Sequence, residues 1–292
     1  MLPIDTLPHK TRGARFDCPA EFAAYLRGPA AVSPYLTAGA DGDHGDGHGA
    51  TVVATLERAQ AGDSARVADC DRLLSIMETG ADFATARSVT VAAVAGGLPN
   101  VPAMLAGSPL AMRRRQRIAD QAAPLSVVVD LGVSSSVKHP TLARRGAAAL
   151  ALVRLLAATR PVALWVVSGQ QASRYSEHAQ NAAFAVRLDT APLDLSRAAW
   201  LLCAPEAFRR AAFAVCQTVA GHARETDVNW LNNSAADHPR LIAECLPALT
   251  GTADCLLVPS LITSGSTQFD SDSAAAAWVQ EQLAAHGAVT RE

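Results

Sequence analysis

Lysine is almost missing from this chain: Lys10 and Lys138 are the only lysines among 25 basic residues, so arginine carries the positive charge. Arginine forks suit phosphates and carboxylates, but abundant Arg and Ala also follow from GC-rich codon usage, the simpler reading. With 27 acidic residues the net charge is −2, which leaves no basic footprint for nucleic acid or an anionic membrane. Aromatic residues make up only 5%, so Trp200 and Trp230 read as core or surface anchors rather than base-stacking platforms. The six cysteines include no C-x-x-C pair. That spacing speaks against a zinc site or a disulfide scaffold and for buried thiols in a reducing compartment. No apolar run reaches membrane-spanning length without an arginine or a proline. The opening Met-Leu-Pro-Ile-Asp lacks the regions of a signal peptide. A soluble, cytoplasmic protein is expected.

Catalytic signatures are missing too. There is no phosphate-binding glycine loop followed by Lys-Ser/Thr and no G-x-S-x-G elbow. Ser135, His139 and Asp130 lie too close in sequence to form a triad. Asp189 and Asp194 read as helix caps, and His178, His222 and His238 sit in polar segments and read as exposed. No catalytic residue is expected.

What the chain does contain is a globular composition, 50% hydrophobic and 18% charged over 292 residues, enough for one large or two modest domains. Its organising stretch is 124–169. Leu125-Ser126-Val127-Val128-Val129 ends in Asp130, then come a polar loop with Ser134, an Arg/Ala/Leu helix over 141–158, and the run 162–167. Short β-branched runs around a helix spell a β-loop-α-β unit, and ligands of such units bind at the carboxyl end of the strand. Leu142, Gly146, Ala149, Val153 and Leu156 form the apolar stripe of that helix and leave Arg144, Arg145 and Arg154 off it. Further on, 182–188 reads as an antiparallel edge strand, 241–249 as a short helix, 255–258 as a fourth strand, and 273–286 as a closing helix.

The first 120 residues read as a mainly helical region, with an irregular lead-in over 1–15, helices at 19–27 and at 51–77 with an interruption near 62–64, and 82–94 as a further helix whose Thr90 and valines also tolerate strand. The loop 38–49 carries Asp41, Asp43, His44, Asp46 and His48, but its spacing misses the calcium-loop template. Prolines and glycines over 96–109 give a shaped connector with a helical turn at 102–105. After it, Arg113, Arg114 and Arg115 are placed to meet a partner's carboxylates, or to form a solvated basic face before a strand. The domain division expected is 1–120 and 121–292.

The order strand, polar loop, helix, strand, strand, helix, strand, helix resembles a von Willebrand factor A-type domain. That resemblance implies an α/β, Rossmann-like, mostly parallel sheet flanked by helices. It also implies a magnesium ion held at the end of the first strand by Asp-x-Ser-x-Ser, a Thr and a later Asp. Here the motif reads Asp130-Leu131-Gly132-Val133-Ser134, with Gly132 in place of the first serine. Asp130, Ser134 and Thr190 are the metal ligands the resemblance implies, and Thr263, Ser264, Ser266, Asp270 and Asp272 follow the fourth strand. Separately, Asn100-Val101-Pro102, Leu105-Ala106-Gly107-Ser108-Pro109, Met112 and Arg145-Gly146-Ala147 resemble a family of tailed-bacteriophage proteins with no assigned chemistry.

Two classes of function stay open. One is a non-enzymatic phage-type interaction protein, capturing a protein partner at the Asp130/Ser134 end through a divalent cation or surface complementarity, or serving as a virion component. The other is an enzyme acting on a nucleotide or phosphorylated small molecule in the same pocket, with arginines as anion clamps. The missing catalytic motifs favour binding.

Overall fold

A computed structural model describes residues 1–37, 50–79, 88–117, 124–134, 136–158, 160–172, 181–190, 192–221, 231–232, 238–252, 254–262 and 267–286. The organising unit forms as its pattern demands. Strand β6 (Leu125–Asp130) leads into helix α5 (His139–Ala157) and strand β7 (Val162–Ala172), and β6 pairs β7 in parallel from Leu125↔Val162 to Asp130↔Val167. Val127, Val128 and Val129 are all buried, as a strand covered on both faces requires. Helix α5 starts earlier than its apolar stripe suggests because Pro140 fits the first turn, where a backbone N–H has no helical partner.

The other neighbour of β6 is β10 (Cys255–Val258), also parallel. Beyond β7 lies β8 (Ala182–Leu188), antiparallel as expected but interior rather than at an edge. Strand β2 (Thr11–Phe16) covers it in parallel, and β1 (Leu2–Leu7) closes the sheet against β2. The result is a mixed α/β architecture whose six-strand, mostly parallel path runs β1-β2-β8-β7-β6-β10. A two-residue strand, β9 (Leu231–Asn232), pairs with the end of β7.

Residues 1–15 are therefore a strand pair rather than an irregular lead-in. The hairpin turn places His9 and Lys10 at φ 57° and 53°, where glycine or asparagine would usually announce the bend.

Helices α1 (Pro19–Arg27), α2 (Val52–Ala61), α3 (Ser64–Thr79), α6 (Leu195–Cys203), α7 (Phe213–Val219) and α9 (Asp272–Ala285) contribute to the same core as α5. Phe22 stacks on Phe184 and Phe16 meets both rings edge-on, so residues from both halves of the chain share this core. The opposite face is covered by α8 (His238–Thr250), whose Leu241, Ile242, Cys245 and Leu249 pack on Val128, Trp165 and Val167. Among the described residues, no helix is long and apolar enough to cross a membrane.

A second, three-stranded sheet consists of β3 (Ser88–Ala93), β4 (Leu98–Pro99) and β5 (Met112–Arg117), in the order β3-β5-β4. Where 82–94 reads as helix, 88–93 is strand, because Val89, Thr90 and Val91 are β-branched and pair with β5. The expected helical turn at 102–105 is present as α4 (Val101–Leu105). No side chain described between 90 and 114 is buried.

Candidate functional site

Strand alternation turns the Asp130 side chain toward α8, at the carboxyl end of β6. There the carboxylate is fully engaged. Its Oδ1 accepts from the Gly132 amide at 2.8 Å, and His238 Nε2 lies 3.0 Å from Oδ1 and 2.9 Å from Oδ2. A ring nitrogen that close to a carboxylate carries the proton and donates it. Asp130 is 2% exposed and His238 0%, so the pair is cut off from solvent.

Gly132 is what makes room for the imidazole. A Cβ at 132 would lie 2.5 Å from His238 Nε2 and 2.7 Å from Ile262 Cδ1. The space a side chain at 132 would take belongs to His238 and Ile262.

On the other face of the sheet the backbone of Asp130 is held as well. Arg145 Nη1 donates to its carbonyl at 2.7 Å. Arg145 was expected off the apolar stripe of α5, yet it is completely buried. Burial pulls its pKa down to about 10, partly opposed by the nearby Asp130 carboxylate and Cys203, so it stays charged at neutral pH. Among the described residues its Nε and Nη2 meet no hydrogen-bond partner, and neither does His238 Nδ1.

The loop after β6 runs alongside the loop after β10. Leu261 N donates to Gly132 O at 2.7 Å, Ser134 N donates to Leu261 O at 2.9 Å, and Val133 bridges Leu261 in parallel. Ser134 spends its hydroxyl locally, 3.0 Å from the Ser136 hydroxyl, and its carbonyl accepts from Arg209 Nη2 at 3.3 Å. Arg209 lies on a π-helical turn, Ala207–Ala212, and burial lowers its pKa.

Asp130 and Ser134 therefore share one end of the sheet, but Thr190 does not join them. Because β8 runs antiparallel to β7, Thr190 falls beside the start of β7, where its hydroxyl donates to Val162 O at 2.7 Å. Val162 and Val167, the register partner of Asp130, are separated along β7 by about 16 Å.

The later aspartates are committed elsewhere. Asp272 pairs with Arg144 at 2.7 Å, and Asp270 offers its carbonyl to the same arginine at 3.1 Å. Thr263, Ser264, Ser266 and the 38–49 loop lie outside the described residues. Among the described residues no group of three or more His, Cys, Asp or Glu is placed to hold a metal. The Asp130 carboxylate is bonded by an imidazole and an amide, and Thr190 lies at the far end of β7 from it.

Arg113 and Arg114 are exposed on β5, paired with Ala92 and Val91 of β3; Arg115 pairs with Thr90. Around them the second sheet exposes Val94, Leu98, Val101, Met104, Leu105 and Leu110, half of the large apolar side chains exposed among the described residues.

A further charged cluster carried no sequence signal. Glu206 is fully buried, bonded to Arg58 at 2.8 Å and 3.8 Å from Arg66; Asp63 lies 3.2 Å from Arg66 and 3.5 Å from Arg58. It clamps α2 and α3 onto the end of α6. His238 had one legible signal: it precedes Pro239, and proline in the first turn marks a helix start.

No curated protein and no solved structure matches this chain. Residues 14–240 match the model of a domain of unknown function, DUF7192, and the chain belongs to that family.

Proposed function

We propose that this protein is a non-enzymatic, phage-type interaction protein that captures a protein partner through the sheet β3-β5-β4. The observation that carries this reading is a folded three-stranded sheet with no buried side chain described between 90 and 114. A small sheet without an apolar face in contact is marginal by itself, and clustered exposed apolar residues mark interaction surfaces. Exposed Arg113 and Arg114 on β5, with Leu98 paired to Arg113 and Met104 and Leu105 exposed on α4, suit a partner that presents apolar side chains flanked by carboxylates.

The scaffold we infer is von Willebrand A-like. The order β8-β7-β6-β10, with β8 antiparallel and β6 parallel to both its neighbours, supports it, as does Asp130 at the end of β6. In this reading His238 stands where the metal of that family would sit, and capture does not run through a cation. Adding magnesium or manganese should leave the melting temperature of the wild type unchanged; a rise abolished by Asp130→Ala would instead restore the cation-bridged reading.

The test of capture is crosslinking and affinity isolation from cells that naturally produce the protein. It compares wild type with a variant carrying Met104→Ser, Leu105→Ser, Arg113→Glu and Arg114→Glu. The variant should melt like wild type and lose the partner, with wild-type crosslinks mapping to 94–114. Retention of the same partner by the variant would sink the assignment of the surface. Turnover of a phosphorylated compound by the purified chain would sink the non-enzymatic reading.

A further inference from the structure

Helices α3 and α6 bring two sulfurs, 133 residues apart in sequence, into contact: Cys70 Sγ lies 3.4 Å from Cys203 Sγ. Both thiols sit in the core, 3% and 1% exposed. The Cys203 thiol also donates to Ala143 O of α5 at 3.7 Å, and a Cβ on Gly146 would overlap its sulfur. Gly146 thus lets α5 back the Cys203 sulfur and keeps it against Cys70. The same helices are tied nearby: Asp63 N donates to Ser196 O at 3.1 Å, and Arg66 Nη1 donates to Cys203 O at 3.4 Å.

We propose that Cys70 and Cys203 are a redox modification site, and that oxidation joins them in a disulfide fastening α3 to α6. A disulfide has an S–S length of about 2.05 Å, so closure from 3.4 Å asks for about 1.4 Å of sulfur movement.

The oxidant is a low-molecular-weight disulfide such as oxidised glutathione. One thiolate attacks it and expels a glutathione thiolate. The second protein thiol, losing its proton to solvent, then attacks the mixed disulfide and expels the other. The protein loses two electrons and two protons, and one glutathione disulfide becomes two glutathione thiols. The bond between the two thiols, together with burial, holds Cys203 above its ordinary pKa despite the guanidiniums of Arg66 and Arg145. Exchange in the closed fold is therefore slow and needs α3 to open.

The full chain is equilibrated with mixtures of reduced and oxidised glutathione by two routes, in urea below the unfolding transition and by refolding from denaturant. All thiols are then alkylated under denaturing conditions and counted by mass. The expected result is four reactive thiols out of six, one peptide pair linking Cys70 to Cys203, and a melting temperature above that of the reduced protein. Cys70→Ala and Cys203→Ala, each replacing a thiol with a small apolar side chain, should each keep their five remaining thiols reactive. Six reactive thiols after both routes in excess oxidised glutathione, or a linkage between other cysteines, would overturn the proposal. Refolding removes burial as an excuse for a negative result.

Discussion

His238, the first residue of α8, and Asp130, the last residue of β6, meet across 108 residues of sequence with Nε2 2.9 Å from Oδ2. The contact latches α8, on one face of the sheet, to the carboxyl end of the buried strand β6. Breaking a buried pair by removing one partner leaves the other desolvated and uncompensated, typically at 3–5 kcal/mol. Asp130→Ala and His238→Ala should each lower the unfolding free energy in urea by about 3 kcal/mol. The double variant should lose clearly less than the sum. Strict additivity would mean that the two groups do not interact.

Gly132 should be intolerant for a reason that can be relieved. Gly132→Ala puts a methyl 2.5 Å from His238 Nε2 and 2.7 Å from Ile262 Cδ1, an overpacking expected to cost about 1–3 kcal/mol. In the background of His238→Ala the cost should fall, because the imidazole is gone. An unchanged cost would put the conflict with Ile262 alone.

Arg145 gives a pH signature. Burial pulls its pKa below the ordinary arginine range, to about 10 in the fold, so above that value the unfolded chain binds more protons and stability rises with pH. The penalty for the buried charge is fully present at neutral pH and is relieved as pH climbs through about 10 and above. Relative to Arg145→Met, which has nothing to titrate there, wild type should gain about 1.4 kcal/mol between pH 9 and 11. Parallel curves would show that the guanidinium is better compensated than its single bond to Asp130 O implies.

Glu206 is the anion that Arg58 and Arg66 share. Glu206→Gln keeps the shape and removes the charge, leaving Asp63 to face both guanidiniums. A loss of about 2–3 kcal/mol is expected, in line with charge-assisted bonds at a buried site. Amide exchange should speed up in α2 and α3 before it does in α5. Uniform acceleration would mean that the cluster holds the whole core and not the helical corner.

The sequence by itself determined the elements whose driving force is local. Three consecutive valines before Asp130 and the Ala/Leu face of α5 can form little else than a buried strand and its crossover helix. Pro19 to Arg27 was legible residue for residue, because proline opens the helix and glycine ends it. Tertiary structure decided everything that depends on which distant segment arrives. No local pattern says that β2 will cover β8, so 1–15 looked structureless and β8 looked like an edge.

The site divides in the same way. Asp130 at the end of a strand could be read directly. Its partner could not, because histidine in a polar stretch looks exposed until a helix start carries it under the loop of Gly132. Thr190 went to the wrong end for a topological reason: spacing records that it follows a strand, and only the antiparallel sense of β8 says which end that is. Arg145 shows the limit of a helical stripe. Periodicity describes one buried face, whereas α5 touches the sheet, α6 and α9 and is buried nearly all round.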